Sequence, residues 1–205
     1  MQYTIMQIVS LFLDFIFPPR ANERFLRRLE TLPYTPSNFE GTIFLSSFQD
    51  KRISAAITEN KYHNNHHATK LLEQLLGNWL GTQSGAIILI PVPLSKVRKK
   101  ERGYNQVSEV LYCLDTTEDK KTLEDVLMRS KDTTPQTSLT KAERLTNMTD
   151  AFAVVNAQKL ASIKKCTVVL IDDVITTGST LKVARAALAP LLPPDTKLIT
   201  LALAH

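Results

Sequence analysis

Asp172 and Asp173 stand side by side after the apolar run Val168-Val169-Leu170-Ile171, and Val174-Ile175 then leads into Thr176-Thr177-Gly178-Ser179-Thr180. Paired carboxylates suit a diol, because each can accept two hydroxyl protons. The residues that follow suit a phosphate: Thr176, Thr177, Ser179 and Thr180 offer O–H donors, and Gly178 permits a tight backbone approach. A diol beside a phosphate is the chemistry of a phosphorylated ribose. A second group is cationic. Lys96, Arg98, Lys99, Lys100 and Arg102 place five positive charges between Pro93 and Gln106, which fits a pyrophosphate or the phosphates of a nucleic-acid strand. His63, His66 and His67 do not complete a ligand set by their spacing, and we read them as the solvated start of a helix.

These groups need elements to hold them. Residues 168–171 predict a buried parallel strand, and residues 181–192 have the apolar spacing and alanine content of a helix. Strand, polar loop and helix N-terminus form an anion site, because backbone N–H groups converge there and the helix dipole favours negative charge. Residues 86–90 predict a second buried strand, ended by Pro91-Val92-Pro93, so the cationic stretch is expected as a loop on the same carboxyl edge. Helices are predicted over 51–59, 68–80, 106–114 and 142–147. Strands are predicted over 43–48, 151–155 and 198–204, and residues 123–128 read as a short helix or strand. In the 68–80 segment, Leu71, Leu72, Leu75, Leu76 and Trp79 share one face. The alternation predicts an α/β fold: a doubly wound, mostly parallel sheet with helices on both faces, spanning residues 41–205. Residues 1–40 form a small helical appendage in this reading, with an apolar helix over 5–17, Pro18-Pro19, and a charged helix over 22–30.

Bulk properties narrow the class. The chain has 205 residues, 43% hydrophobic and 22% charged, as expected of one globular core rather than a disordered or membrane-embedded chain. Its net charge of +5 fits a polyanionic substrate or a nucleic acid equally well. Cys113 and Cys166 are far apart and outside any CxxC pair, so free thiols in a reducing compartment are expected. The apolar 5–17 segment lacks a basic flank, carries Asp14, and is too short to span a bilayer. We expect a cytoplasmic protein with no transmembrane segment.

Residues 168–180 resemble the phosphoribosyl pyrophosphate (PRPP) motif of type I phosphoribosyltransferases. That resemblance implies that Asp172 and Asp173 orient the ribose hydroxyls and that Thr176, Thr177, Gly178, Ser179 and Thr180 hold the 5′-phosphate. Pro91-Val92-Pro93-Leu94, the spaced cations and Arg102-Gly103-Tyr104-Asn105-Gln106 make the chain similar to the ComF/ComFC (competence protein F) family, whose members have this transferase-like fold. Arg129, Thr133, Pro135, Gln136, Leu139, Arg144, Asn147 and Phe152 fall on the same family's spacing, as do Phe17-Pro18-Pro19-Arg20 and Lys61-Tyr62. Lys61 and Tyr62 carry no evident chemistry in the sequence. Many family members have a four-cysteine zinc module after the FPPR segment. Here Ala21-Asn22-Glu23-Arg24 follows, no cysteine precedes Cys113, and no zinc site is expected.

The resemblance implies Lys96, Arg98, Arg102 and Arg129 as pyrophosphate contacts, Mg²⁺ carried on the pyrophosphate, and a polar lid over residues 129–140. Three roles remain open: a phosphoribosyltransferase of unknown acceptor, a non-catalytic sensor of PRPP or a nucleotide, or a scaffold handling single-stranded DNA. The family name implies DNA uptake in natural competence, with a helicase and a recombination mediator as partners. A homodimer is a candidate assembly. For the DNA role, Tyr104 is the one aromatic side chain in the cationic stretch that offers stacking.

Overall fold

The computed structural model describes residues 23–114, 119–129, 151–161, 163 and 165–205. The predicted helices over 5–17 and 142–147, the FPPR segment, and the proposed lid beyond Arg129 lie outside the described residues.

The carboxylates end the central strand of a six-stranded sheet. Its order is β1-β2-β8-β7-β3-β4, built from Ser37–Phe39, Thr42–Ser46, Lys197–Ala204, Thr167–Val174, Ile87–Pro91 and Lys120–Thr122. Only β1 runs antiparallel to its neighbour. The apolar runs of β3 and β7 explain their interior places, since a parallel strand covered on both faces tolerates few polar side chains. A two-stranded antiparallel sheet, β5 (Leu127–Arg129) with β6 (Phe152–Val154), lies apart from it.

Strand alternation divides β7 between two cores. Val169 and Ile171 join Ile87, Leu89, Leu201 and Leu203 under α1 (Glu23–Arg27), α2 (Lys51–His63), α3 (His66–Leu80) and α5 (Gln106–Tyr112). Val168 and Leu170 face the opposite way, toward α6 (Ala157–Ala161), α7 (Ser179–Leu188) and the β5–β6 pair. All five large residues singled out on α3 are buried, and Leu26 and Leu32 pack into the same core. By the same alternation Asp172 belongs to the α7 side and Asp173 to the α2–α5 side.

The observed elements differ from expectation in several places, among them the short helix α6, which the sequence reading did not include. Residues 96–102 form a helix, α4 (Lys96–Arg102), not a loop. Ser95 caps it by accepting the Arg98 N–H at 3.2 Å, and Gly103 ends it at φ 79°, a left-handed conformation that glycine adopts without Cβ strain. β1 and β4 were not anticipated, because three residues carry too little periodicity to signal a strand. The 123–128 region resolves into the end of a connection and the start of β5.

Among the described residues, no helix is long and apolar enough to cross a membrane. Cys166 is buried and Cys113 half-buried, both as free thiols, and burial raises the pKa of the Cys166 thiol.

Candidate functional site

Chain connections leave β3 and β7 toward opposite faces: β3 leads to α4 and α5, β7 leads to α7. The two strands are neighbours, paired from Ile87↔Thr167 to Pro91↔Ile171. A crevice therefore opens between their carboxyl ends, the place where open α/β sheets bind ligands.

One wall is the β7–α7 junction. Gly178 takes φ 67° as the N-cap of α7, and no side chain caps the helix. The first-turn N–H groups therefore receive no help from the cap residue and point out of the helix end. A Cβ at Gly178 would meet no atom within 4 Å, so the space beside this backbone is open. Thr177 donates its hydroxyl to Ser179 Oγ at 3.0 Å, holding two of the predicted phosphate donors together. Thr176 and Thr177 are exposed, and Ser179 and Thr180 half-buried.

The two carboxylates have unlike surroundings. Asp173 is 6% exposed and heavily bonded. Its Oδ1 accepts the Val174 N–H at 2.7 Å, and its Oδ2 accepts Gln106 Nε2 at 2.9 Å and Lys61 Nζ at 3.0 Å. Burial opposes its ionisation, but the Lys61 charge and these hydrogen bonds prevail and hold its pKa below the ordinary carboxylate value. Asp172 is half-buried, and its Oδ1 accepts the Asp173 N–H at 2.9 Å. Desolvation, with the Asp173 charge beside it, pushes the Asp172 pKa up to about 7. An ionised group and one that titrates near neutrality thus sit side by side, a division seen where acid–base chemistry or cation binding is performed.

The second wall is built from α2, α4 and α5. Gln106 spends its amide on two charges: Nε2 goes to Asp173, while Oε1 accepts Arg102 Nη1 at 3.1 Å. Arg102 lies 5.0 Å from the centroid of the Tyr62 ring, and Lys61 Nζ lies 5.8 Å from the same centroid. Asn105 caps α5 and donates Nδ2 to the Val92 carbonyl at 2.9 Å, tying the helix start to the end of β3. Tyr104 is half-buried. Its hydroxyl donates to the Asn60 carbonyl at 2.7 Å and accepts the Asn64 N–H at 2.9 Å, which fixes the last turn of α2. Asn60 in turn donates Nδ2 to the Gln106 carbonyl at 3.0 Å.

Of the residues singled out from the sequence, Asp172, Asp173, Arg102 and residues 176–180 converge on this crevice. Lys96 and Arg98 project from α4 into solvent. Arg129 belongs to β5, with its guanidinium 5.5 Å from the Phe152 ring centroid. His67 bonds the Leu26 carbonyl at 2.9 Å and takes part in helix packing. Lys61, Tyr62 and Gln106 are the residues that sequence reasoning did not place in the site. The matched Lys61-Tyr62 pair and the terminal Gln of the RGYNQ segment were the available signals.

For a magnesium ion, the donors fit a shared arrangement. Among the described residues no three His, Cys, Asp or Glu side chains gather into a metal cage. Mg²⁺ commonly takes one or two carboxylates and completes its shell with substrate phosphates and water. Asp173 already accepts from Lys61, Gln106 and the Val174 N–H, so a magnesium ion here would draw its oxygens mainly from a bound diphosphate and water.

Two curated relatives bear on the family. Over 93 residues the chain is 38% identical to competence protein F of Haemophilus influenzae, covering 45% of this chain and 40% of that protein. Over 101 residues it is 35% identical to competence protein ComFC of Bacillus subtilis, covering 49% of this chain and 38% of that protein. The matched stretch thus spans about two-fifths of the length of either relative. No family model matches the chain. Both relatives carry the name to which the PVPL and RGYNQ segments pointed.

Proposed function

From this support for the ComF/ComFC family, we propose that the protein binds PRPP, or a related ribose phosphate, with Mg²⁺ in the crevice between β3 and β7, on a type I phosphoribosyltransferase fold. The observation that carries the reading is the β7–α7 junction: two carboxylates of unlike ionisation, joined through a short hydroxyl loop to a helix N-terminus that no side chain caps. The 176–180 loop takes the 5′-phosphate through hydroxyl and backbone donors. Asp172 and Asp173 orient the ribose hydroxyls. Arg102 meets the charge that builds on the pyrophosphate as its bond to the ribose C1 weakens. Bound Mg²⁺ would serve as a template and Lewis acid for the same oxygens. Asp172, titrating near neutrality, can hold a proton or a hydroxyl at the ribose edge. The acceptor is open, and a sensor that binds PRPP without transfer uses the same contacts. The names of the two relatives support a role in competence.

A second reading has its own observation. Lys96, Arg98, Lys99 and Lys100 all lie exposed on α4, a cationic ridge suited to the phosphates of single-stranded DNA. It is compatible with PRPP binding, and Tyr104, half-buried with its hydroxyl tied to Asn60 and Asn64, is not part of this exposed ridge.

Calorimetric titration with PRPP, with and without Mg²⁺, tests the main reading. Mg²⁺-dependent binding that is lost in Asp172→Asn/Asp173→Asn supports it, with Asp172→Asn alone as the variant that spares the Lys61 pair. Undiminished binding by the folded double variant would sink the site assignment.

A further inference from the structure

We propose that Lys61 is a positioning residue that couples the β7 carboxylates to the diphosphate part of the ligand, exchanging Asp173 for a diphosphate oxygen in company with Arg102. The inference rests on the PRPP reading and adds a residue to which no chemistry has been assigned.

The geometry supports it in three ways. First, Lys61 and Arg102 approach one aromatic ring, at 5.8 and 5.0 Å from the Tyr62 centroid, and Asp173 is the carboxylate paired with Lys61. Only Lys61 is paired with a carboxylate there, while Arg102 is bonded to the neutral Gln106 amide, so the guanidinium charge in this half-buried place is left to an anion. Second, both cations keep donors in hand. An ammonium has three and a guanidinium five. The hydrogen bonds and ion pairs described here take one from Lys61, to Asp173, and one from Arg102, to Gln106. Third, Asp173 is crowded by its partners. Oδ2 already accepts both Gln106 and Lys61, so a ribose hydroxyl can approach that oxygen only if one of them yields. Gln106 is buried and also held through its carbonyl by Asn60. Lys61 is the partner free to move: its side chain is 22% exposed and swings on a flexible stem.

A diphosphate at the end of β3 would thus draw Lys61 away from Asp173 as it binds, and the freed carboxylate oxygen would meet the ribose. Ribose 5-phosphate, which lacks the diphosphate, gives Lys61 no reason to move.

The test is calorimetry on the full chain with three probes, namely PRPP with Mg²⁺, inorganic pyrophosphate with Mg²⁺, and ribose 5-phosphate. Lys61→Met should weaken the two diphosphate probes by tenfold or more and change ribose 5-phosphate affinity by less than threefold. Lys61→Arg should restore most of the loss. Lys61→Gln, which can still donate a hydrogen bond to Asp173 but carries no charge, should show the same selectivity and keeps the inference testable if Lys61→Met does not fold. Equal losses for PRPP and ribose 5-phosphate would mark a structural role and overturn the proposal, as would unchanged affinity for PRPP. If the unmodified protein binds none of the three probes, the PRPP reading itself falls, which separates that failure from failure of the Lys61 assignment.

Discussion

The β7–α7 junction and helix α4 follow neighbouring strands of one sheet, yet their charges are held in different ways. Asp173 ends a strand buried on both faces and meets Lys61, Gln106 and a backbone N–H. The α4 cations Lys96, Arg98, Lys99 and Lys100 sit on a seven-residue helix with no buried residue, and Arg102 alone among its five cations turns inward to Gln106. A strand end has little freedom, because its register dictates which face each residue serves. A short surface helix can present its side chains to solvent at small cost. Charge of similar density is therefore held differently in the two places: at the junction it is tied into the fold, on α4 it is a field offered to solvent.

The sharpest way to break this contrast is to remove the carboxylate at its centre. Asp173→Ala leaves Lys61 and Gln106 without their shared acceptor and should cost about 3 kcal/mol in denaturant unfolding. A loss below about 0.5 kcal/mol would place Asp173 with the surface charges.

The next effect is one of pH. The folded state lifts Asp172 from the ordinary 3.8 to about 7, so it favours the protonated acid more than the unfolded chain does. The contribution of Asp172 to stability is full below about pH 4 and is lost as pH rises through about 7. Asp173 has the opposite sign: its lowered pKa contributes stability above its unfolded value, which is lost as acid protonates it. Unfolding measured from pH 4 to 8 should therefore slope downward in the native sequence and flatten in Asp172→Asn. Parallel slopes would mean that Asp172 titrates as an ordinary carboxylate.

Gly178→Ala should cost about 1 kcal/mol, because the left-handed φ of 67° strains any Cβ although no neighbour crowds it. Thermal unfolding checks it. At the small end, Lys96→Ala and Arg98→Ala should each stay within about 0.5 kcal/mol of the parent protein, whereas the pair should lower the salt slope of any single-stranded DNA binding. A large stability loss from either would erase the contrast between α4 and the junction.

What could be read from the chain follows the same division. Val168 to Thr180 is contiguous, so strand, carboxylates, loop and helix start were all visible in one stretch of sequence, and α3 was visible in its leucine spacing. Helix α4 was misread as a loop because its charges masked its periodicity. Ser95 and Gly103, a cap at each end, were the overlooked signals. The Lys61–Asp173 pair joins distant parts of the chain, and no local pattern announces it. Gln106 belongs to the same class, since its role depends on how α5 packs against β7.

The Tyr104 hydroxyl, bonded to both Asn60 and Asn64, ties the segment after α4 to the corner between α2 and α3. With Asn60 bonded onward to Gln106 and Thr69, opening either segment breaks the same bonds. In amide hydrogen exchange these two stretches should behave as one cooperative unit, with a shared opening free energy rather than two. The Tyr104 hydroxyl and the Asn60 amide thereby act as one latch between the corner that carries Lys61 and the sheet edge beside it.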